Sequence, residues 1–173
     1  MKIKTVLGIL LFTLFVSCSV NNNVVGTYRS NFAELGFFVT RIELKENKTF
    51  HYVFSGDLLH TELDGKYVIE NKNLYLRFDR LKGEGESDVF EVNGQDTIIN
   101  WEKMQGVHDY ELNKENEIEY HLKYKIYKNK LFGYKLGTNK LIKKARLYSG
   151  FRKYIVFGPR YYNKKSYLKK RKS

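Results

Sequence analysis

The residues able to do chemistry are few and scattered. Four histidines, His51, His60, His108 and His121, show no His-x-His or His-Glu-x-x-His spacing that would aim two imidazoles at one metal ion. Asp57, His60 and Asp64 lie close enough to meet at a loop, although exposed loop residues account for them better. Glu84, Glu86 and Asp88, interleaved with Gly83 and Gly85, form an acidic loop without the ligand spacing and closing Glu of an EF-hand. Ser149-Gly150 is no nucleophile elbow, because Leu147 stands where the first glycine is needed. There is no glycine-rich phosphate loop. Trp101, in Ile98-Ile99-Asn100-Trp101, reads as core rather than as a binding platform. No catalytic residue, metal ligand or cofactor is expected, and a hydrolase built from dispersed carboxylates ranks third among the function classes.

The elements that would position any site are strands. Phe38, Thr40, Ile42 and Leu44 alternate with Val39, Arg41, Glu43 and Lys45. Phe50, Tyr52 and Phe54 alternate with Thr49, His51 and Val53, and Leu74, Leu76 and Phe78 with Tyr75, Arg77 and Asp79. The longest run interleaves Ile118, Tyr120, Leu122, Tyr124 and Ile126 with Glu119, His121, Lys123 and Lys125. A period of two puts each apolar set on one face of a strand. Asn71-Lys72-Asn73, Asn93-Gly94, Lys128-Asn129-Lys130 and Gly137-Thr138-Asn139 punctuate these runs with residues that accept positive φ, as tight hairpins require. Residues 140–148 also fit a helical face, but strands are expected there and at 154–157. The expected fold is all-β: an antiparallel meander of about eight or more strands, closed into a barrel that leaves no edge.

The single cysteine supplies an address. Lys2 and Lys4, the apolar run from Thr5 to Val16, and the small Ser17 before Cys18 have the layout of a secretory signal peptide. The run is too short to cross a hydrocarbon core, which needs about 20 residues in a helix. Phe15-Val16-Ser17-Cys18 resembles the lipobox of bacterial lipoproteins, with Phe15 where Leu is usual. That resemblance implies acylation of Cys18, which would remove the only thiol from chemistry and tie the protein to the cell envelope. Ser19 in place of Asp leans the address towards the outer membrane. The expected organisation is a signal peptide at 1–17, a lipidated tether at 18–23, a barrel-like domain at 24–163 and a basic tail at 164–173.

Val25-Gly26-Thr27-Tyr28 resembles the Gly-x-Trp opening of lipocalin-like barrels, with Tyr for Trp, and Asp64-Gly65-Lys66-Tyr67 repeats the idea. With Asn47 to Phe50 and Leu74-Tyr75-Leu76, the order is similar to small lipocalin-like lipoproteins of unassigned role, over about residues 24–79. The resemblance implies a barrel plugged at one end by the tyrosines. A bulge glycine followed by an ordinary core tyrosine is the plainer reading of the same residues. At about eight strands the interior either fills with side chains or leaves room for one small ligand.

Charge divides the chain. Residues 18–119 carry all 19 acids, while residues 120–173 carry 18 lysines and arginines and no acid. The steepest stretch, Lys164, Lys165, Lys169, Lys170, Arg171 and Lys172, is the expected contact for an anionic lipid surface or envelope polymer. Solvated strand faces are the ordinary alternative. Nucleic acid is set aside as a partner for an exported protein, and oligomeric state is unread. The leading expectation is a lipid-anchored, non-catalytic envelope binding protein, holding a small apolar ligand or an anionic surface partner. The alternative is a structural lipoprotein that docks to another envelope protein without a ligand.

Overall fold

The computed structural model describes residues 24–34, 37–57, 59–93, 96–151 and 159–171. Residues 1–17, where a signal peptide is expected, Cys18, residues 154–157 and Lys172 lie outside them. Numbered along the chain, the barrel strands are β1 (Gly26–Ser30), β2 (Val39–Leu44), β3 (Thr49–Gly56), β4 (Leu59–Glu70), β5 (Asn73–Phe78), β10 (Leu122–Tyr127), β11 (Lys130–Gly133) and β14 (Leu168–Lys170). They form a closed antiparallel meander in that order, with β14 returning to β1. This is the eight-stranded layout of a lipocalin-like barrel.

Two excursions interrupt the meander. The first carries a 3-10 turn (Glu86–Val89), the hairpin of β6 (Phe90–Asn93) and β7 (Asp96–Ile99), a one-turn helix α1 (Trp101–Met104), and the hairpin of β8 (Asn113–Glu115) and β9 (Ile118–Tyr120). The second carries a two-stranded ribbon, β12 (Lys144–Phe151) with β13 (Pro159–Lys165). Strand direction separates the two ends of the barrel. The tight turns at 45–48, 71–72 and 128–129 gather at one end with Val24 and Arg171. Loop 31–38, the β3–β4 turn and both excursions open from the other, which forms a mouth.

The alternating apolar residues line the interior. Ile42, Leu44, Phe50, Leu74, Leu76, Phe78 and Leu131 are all at most 1% exposed. At the closed end the Tyr28 hydroxyl donates to the Val24 carbonyl (2.9 Å) and the Tyr67 hydroxyl to the Lys45 carbonyl (2.8 Å). Both Gly-x-Tyr tyrosines therefore seal the same end with their phenol oxygens satisfied. Gly26 has φ 129, a conformation side chains disfavour, and a Cβ there would sit 2.8 Å from the Lys170 Cε. At Gly65 a Cβ would run into the Arg77 carbonyl oxygen and the Phe50 ring, so this strand crossing needs a bare backbone. Gly26→Ala is expected to lower unfolding free energy by about 1–2 kcal/mol, read by urea denaturation.

Several sequence expectations are corrected. The run from Ile118 to Ile126 is two strands, broken at His121, where the side chain takes over the ladder: its Nδ1 accepts the Phe78 amide at 2.9 Å. Residues 140–143 lie outside any strand, and β12 starts only at Lys144. Of the segment expected as a basic tail at 164–173, the described residues 164–171 are not an appendage, since Leu168 is a core residue and β14 closes the barrel. Trp101 is 63% exposed, because it sits on a single helical turn standing off the barrel and none of the described residues covers its ring. Tyr75, His121 and Lys123 belong to the outward-facing set yet are buried, under the β8–β9 hairpin and the 135–139 loop.

Candidate functional site

The mouth holds a cavity of about 350 Å³ inside the barrel, reaching down among Leu122, Leu131 and Leu168. Period two brings Tyr52 on β3 and Tyr124 on β10 to its wall, with Thr40 on β2. Tyr110, from the first excursion, is the third phenol. Its hydroxyl lies 3.0 Å from that of Tyr52, with the rings nearly perpendicular at 84°. Among the described residues none hydrogen-bonds the Tyr124 hydroxyl.

Burial sets the chemistry of this cluster. It pushes the Tyr52 hydroxyl well above the ordinary phenol range, and the neighbouring Tyr124 and Tyr110 add to the shift. Burial likewise raises Tyr110, and it raises Tyr124 far above its usual value. All three phenols therefore stay protonated and neutral, offering O–H donors beside apolar walls. Lys123 is the only cation in the described lining, and Glu115 holds its ammonium at 2.6 and 2.8 Å. Glu34 lies exposed at the rim. Among the described lining residues none inside the cavity offers an unpaired charge to a buried ligand, so the lining suits a neutral molecule with an acceptor oxygen.

Outside the barrel a groove of about 670 Å³ runs between the first excursion and the β3–β4 turn. Trp101, Phe90, Leu59 and Met104 line it while more than two-fifths exposed. Tyr110 and Leu136 border both the groove and the inner cavity.

The residues singled out by spacing have mostly structural surroundings. His60 and Asp64 stand on β4, not in a loop, with Glu62 2.8 Å from His60 and His51 3.0 Å from Asp64. Asp57 turns the chain at φ 50. Glu84 accepts the Leu81 amide, and Glu86 and Asp88 belong to the 3-10 turn. No group of three His, Cys, Asp or Glu among the described residues could hold a metal ion. His108 donates from Nε2 to the Arg80 carbonyl (3.0 Å) and accepts the Tyr110 amide on Nδ1 (3.2 Å), which anchors the segment that presents Tyr110. Ser149 and Gly150 fall within β12.

The C-terminal basic cluster is divided. Lys164 and Lys165 end β13 at the mouth, with Lys164 over the Phe32 ring (4.9 Å) and the Lys165 carbonyl accepting from Asn31 (2.9 Å). Lys169 and Lys170 lie in β14, and the Arg171 amide donates to Thr27 (2.8 Å) at the closed end. The phenol cluster escaped the sequence reading. Alternation placed Tyr52 and Tyr124 inward, but Tyr110 sits in a segment with no regular period, and nothing local links it to them. Among protein-family models, curated proteins and solved structures, none matches the chain.

Proposed function

We propose that the protein is a lipid-anchored, non-catalytic envelope binding protein whose barrel mouth takes one small, neutral, largely apolar ligand carrying an acceptor oxygen. The observation that carries this reading is the phenol-lined cavity. At about 350 Å³ it falls within the range of small-molecule pockets, roughly 300–1,000 Å³. An acceptor oxygen at the wall would meet the Tyr124 hydroxyl, and the leucines would cover the rest. A second reading, docking to another envelope protein without a ligand, draws support from the exposed Trp101 and Phe90 in the outer groove.

Gly133 offers a clean test. It lines the cavity opposite Tyr124, and a Cβ there would make only ordinary contact, 3.7 Å from that ring. Gly133→Leu is therefore expected to fold and fill the cavity. Native mass spectrometry of protein purified from its own envelope should show a bound small molecule on the wild type and none on Gly133→Leu. A wild type that is always empty sinks the ligand reading and leaves the docking one.

A further inference from the structure

The closed end carries a charge pattern that packing does not require. The turns there place Lys48, Lys72 and Lys128 in the left-handed region, at φ 64, 62 and 53. Each has an asparagine beside it, Asn47, Asn71 and Asn129, a residue type that takes this conformation more easily. The remaining non-glycine positive-φ residues outside this end are Asp57, Asn116 and Glu117, in the mouth turn and the first excursion. Among the described residues, the closed end thus meets this backbone demand with three lysines and Asn71 (φ 50), and the rest of the barrel meets it with acids or an amide. Glu117 bends the same rule in the first excursion, but at the closed end all three such side chains are cations on one surface, which points to a role for that surface.

The three lysines belong to one rim. The Lys48 carbonyl accepts the Tyr67 amide (2.9 Å), the Lys72 carbonyl accepts the Ile126 amide (2.8 Å), and the Lys170 amide donates to Asn129 (2.8 Å). Lys45, Lys48, Lys72 and Lys128 are exposed, with Lys170 and Arg171 beside them, against Glu46 and Glu70 as the carboxylates of these turns. Val24 leaves the barrel at this same end, its carbonyl held by Tyr28. From Cys18 to Val24 the chain can reach at most about 20 Å.

We infer that this lysine-rimmed closed end is a docking face for the anionic headgroups of a bilayer, holding the barrel upright with its mouth turned away from the membrane. The inference rests on the envelope reading above for the protein's place beside a bilayer. It replaces the contiguous C-terminal cluster with a surface assembled from three turns and the end of β14. The ribbon lysines Lys144, Lys164 and Lys165, at the mouth end, then take no part in membrane contact.

The test uses the chain from residue 18 onward, which contains every described residue, carrying Cys18→Ala so that no acyl chain contributes. Its sedimentation with phosphatidylcholine vesicles containing about one quarter phosphatidylglycerol should be strong at low salt and weaken as salt screens the charges. The triple variant Lys48→Asn, Lys72→Asn, Lys128→Asn keeps turn-compatible residues and should melt no lower than the parent. Its partitioning should fall about fivefold for each lysine removed. The triple variant Lys144→Ala, Lys164→Ala, Lys165→Ala should bind as the parent does. Equal binding by the turn variant, loss confined to the ribbon variant, or no binding by the parent would each overturn the inference. Acyl labelling of the wild type beside Cys18→Ala reads the anchor separately, so an unlipidated protein and an inert closed end are distinguishable.

Discussion

Glu115→Ala is expected to destabilise the protein by about 3 kcal/mol, whereas Lys123→Met should lower stability by about 1 kcal/mol or less. The asymmetry follows from where each charge sits. The Lys123 side chain is 6% exposed and lies against the Tyr134 ring (4.6 Å) and the Tyr75 ring (5.5 Å). Burial is the largest single influence and would lower its pKa; the short bonds to Glu115, together with the charge interactions of Tyr75, Glu115 and Tyr120, outweigh it and hold the ammonium above its ordinary value. Removing Glu115 leaves a buried cation with only Asn139 at 3.2 Å and two ring faces. Removing Lys123 leaves a carboxylate that is 26% exposed and can still accept from Tyr75 (3.2 Å) and from water. A double-mutant cycle by urea denaturation should place the double variant near Lys123→Met alone, with a coupling energy of about 3 kcal/mol. Equal losses for the two single variants would show that the pair behaves as an exposed one.

The same three residues join separate parts of the mouth. Glu115 belongs to the first excursion, Lys123 to the barrel wall and Asn139 to the second excursion. Sequence alternation read Lys123 as a solvent-facing strand lysine, and its face is indeed the outer one. Alternation reports which face a side chain takes, not whether that face is later covered. The cover comes from residues 113–120 and 135–139, whose placement depends on how the two excursions fold back. Nothing local encodes that.

Where the information was local, the reading was good. Period two identified the inward sets of β2, β3, β5 and β10, and the Asn and Gly punctuation marked the hairpins between them. Gly26-Thr27-Tyr28 and Gly65-Lys66-Tyr67 showed that bare backbone and a following ring were needed, and both rings lie buried at one end. The closing strand was legible too, in the single apolar Leu168 set among lysines, but net charge masked it as a tail. The cavity is a different matter. Its wall draws on four or more strands and on Tyr110 from an irregular segment, so only the closed barrel brings the phenols together. Trp101 was misread because an apolar run ending in tryptophan looks like core until the element proves to be a hairpin and one helical turn with no second layer.

His121 should make stability fall between neutral and mildly acid pH. The side chain is fully buried, and its Nδ1 accepts the Phe78 amide, so the neutral ring carries its proton on Nε2, which has no hydrogen-bond partner among the described residues. Burial first, then the nearby His108 and Arg77, lower its pKa from 6.5 to about 4. Phe78 stacks at 5.2 Å and His108 meets it edge-on at 5.2 Å, and among the described residues no carboxylate forms an ion pair with the ring. In the unfolded chain the imidazole binds its proton as pH falls through 6.5; in the folded chain it does so only near 4. Across that window the unfolded state holds more protons, so stability is complete above 6.5 and is lost as pH falls, by about 3 kcal/mol in all. His121→Asn keeps an acceptor oxygen where Nδ1 stood and has nothing to titrate. Unfolding free energies measured by urea from pH 7 to pH 4.5, above the range in which most carboxylates protonate, should slope for the wild type and be nearly flat for His121→Asn. The variant should be the less stable at pH 7, having lost the ring packed on Phe78, and the two curves should converge towards pH 4.5. Parallel curves would mean that some other group carries the pH dependence and that the buried imidazole is already protonated or already paired.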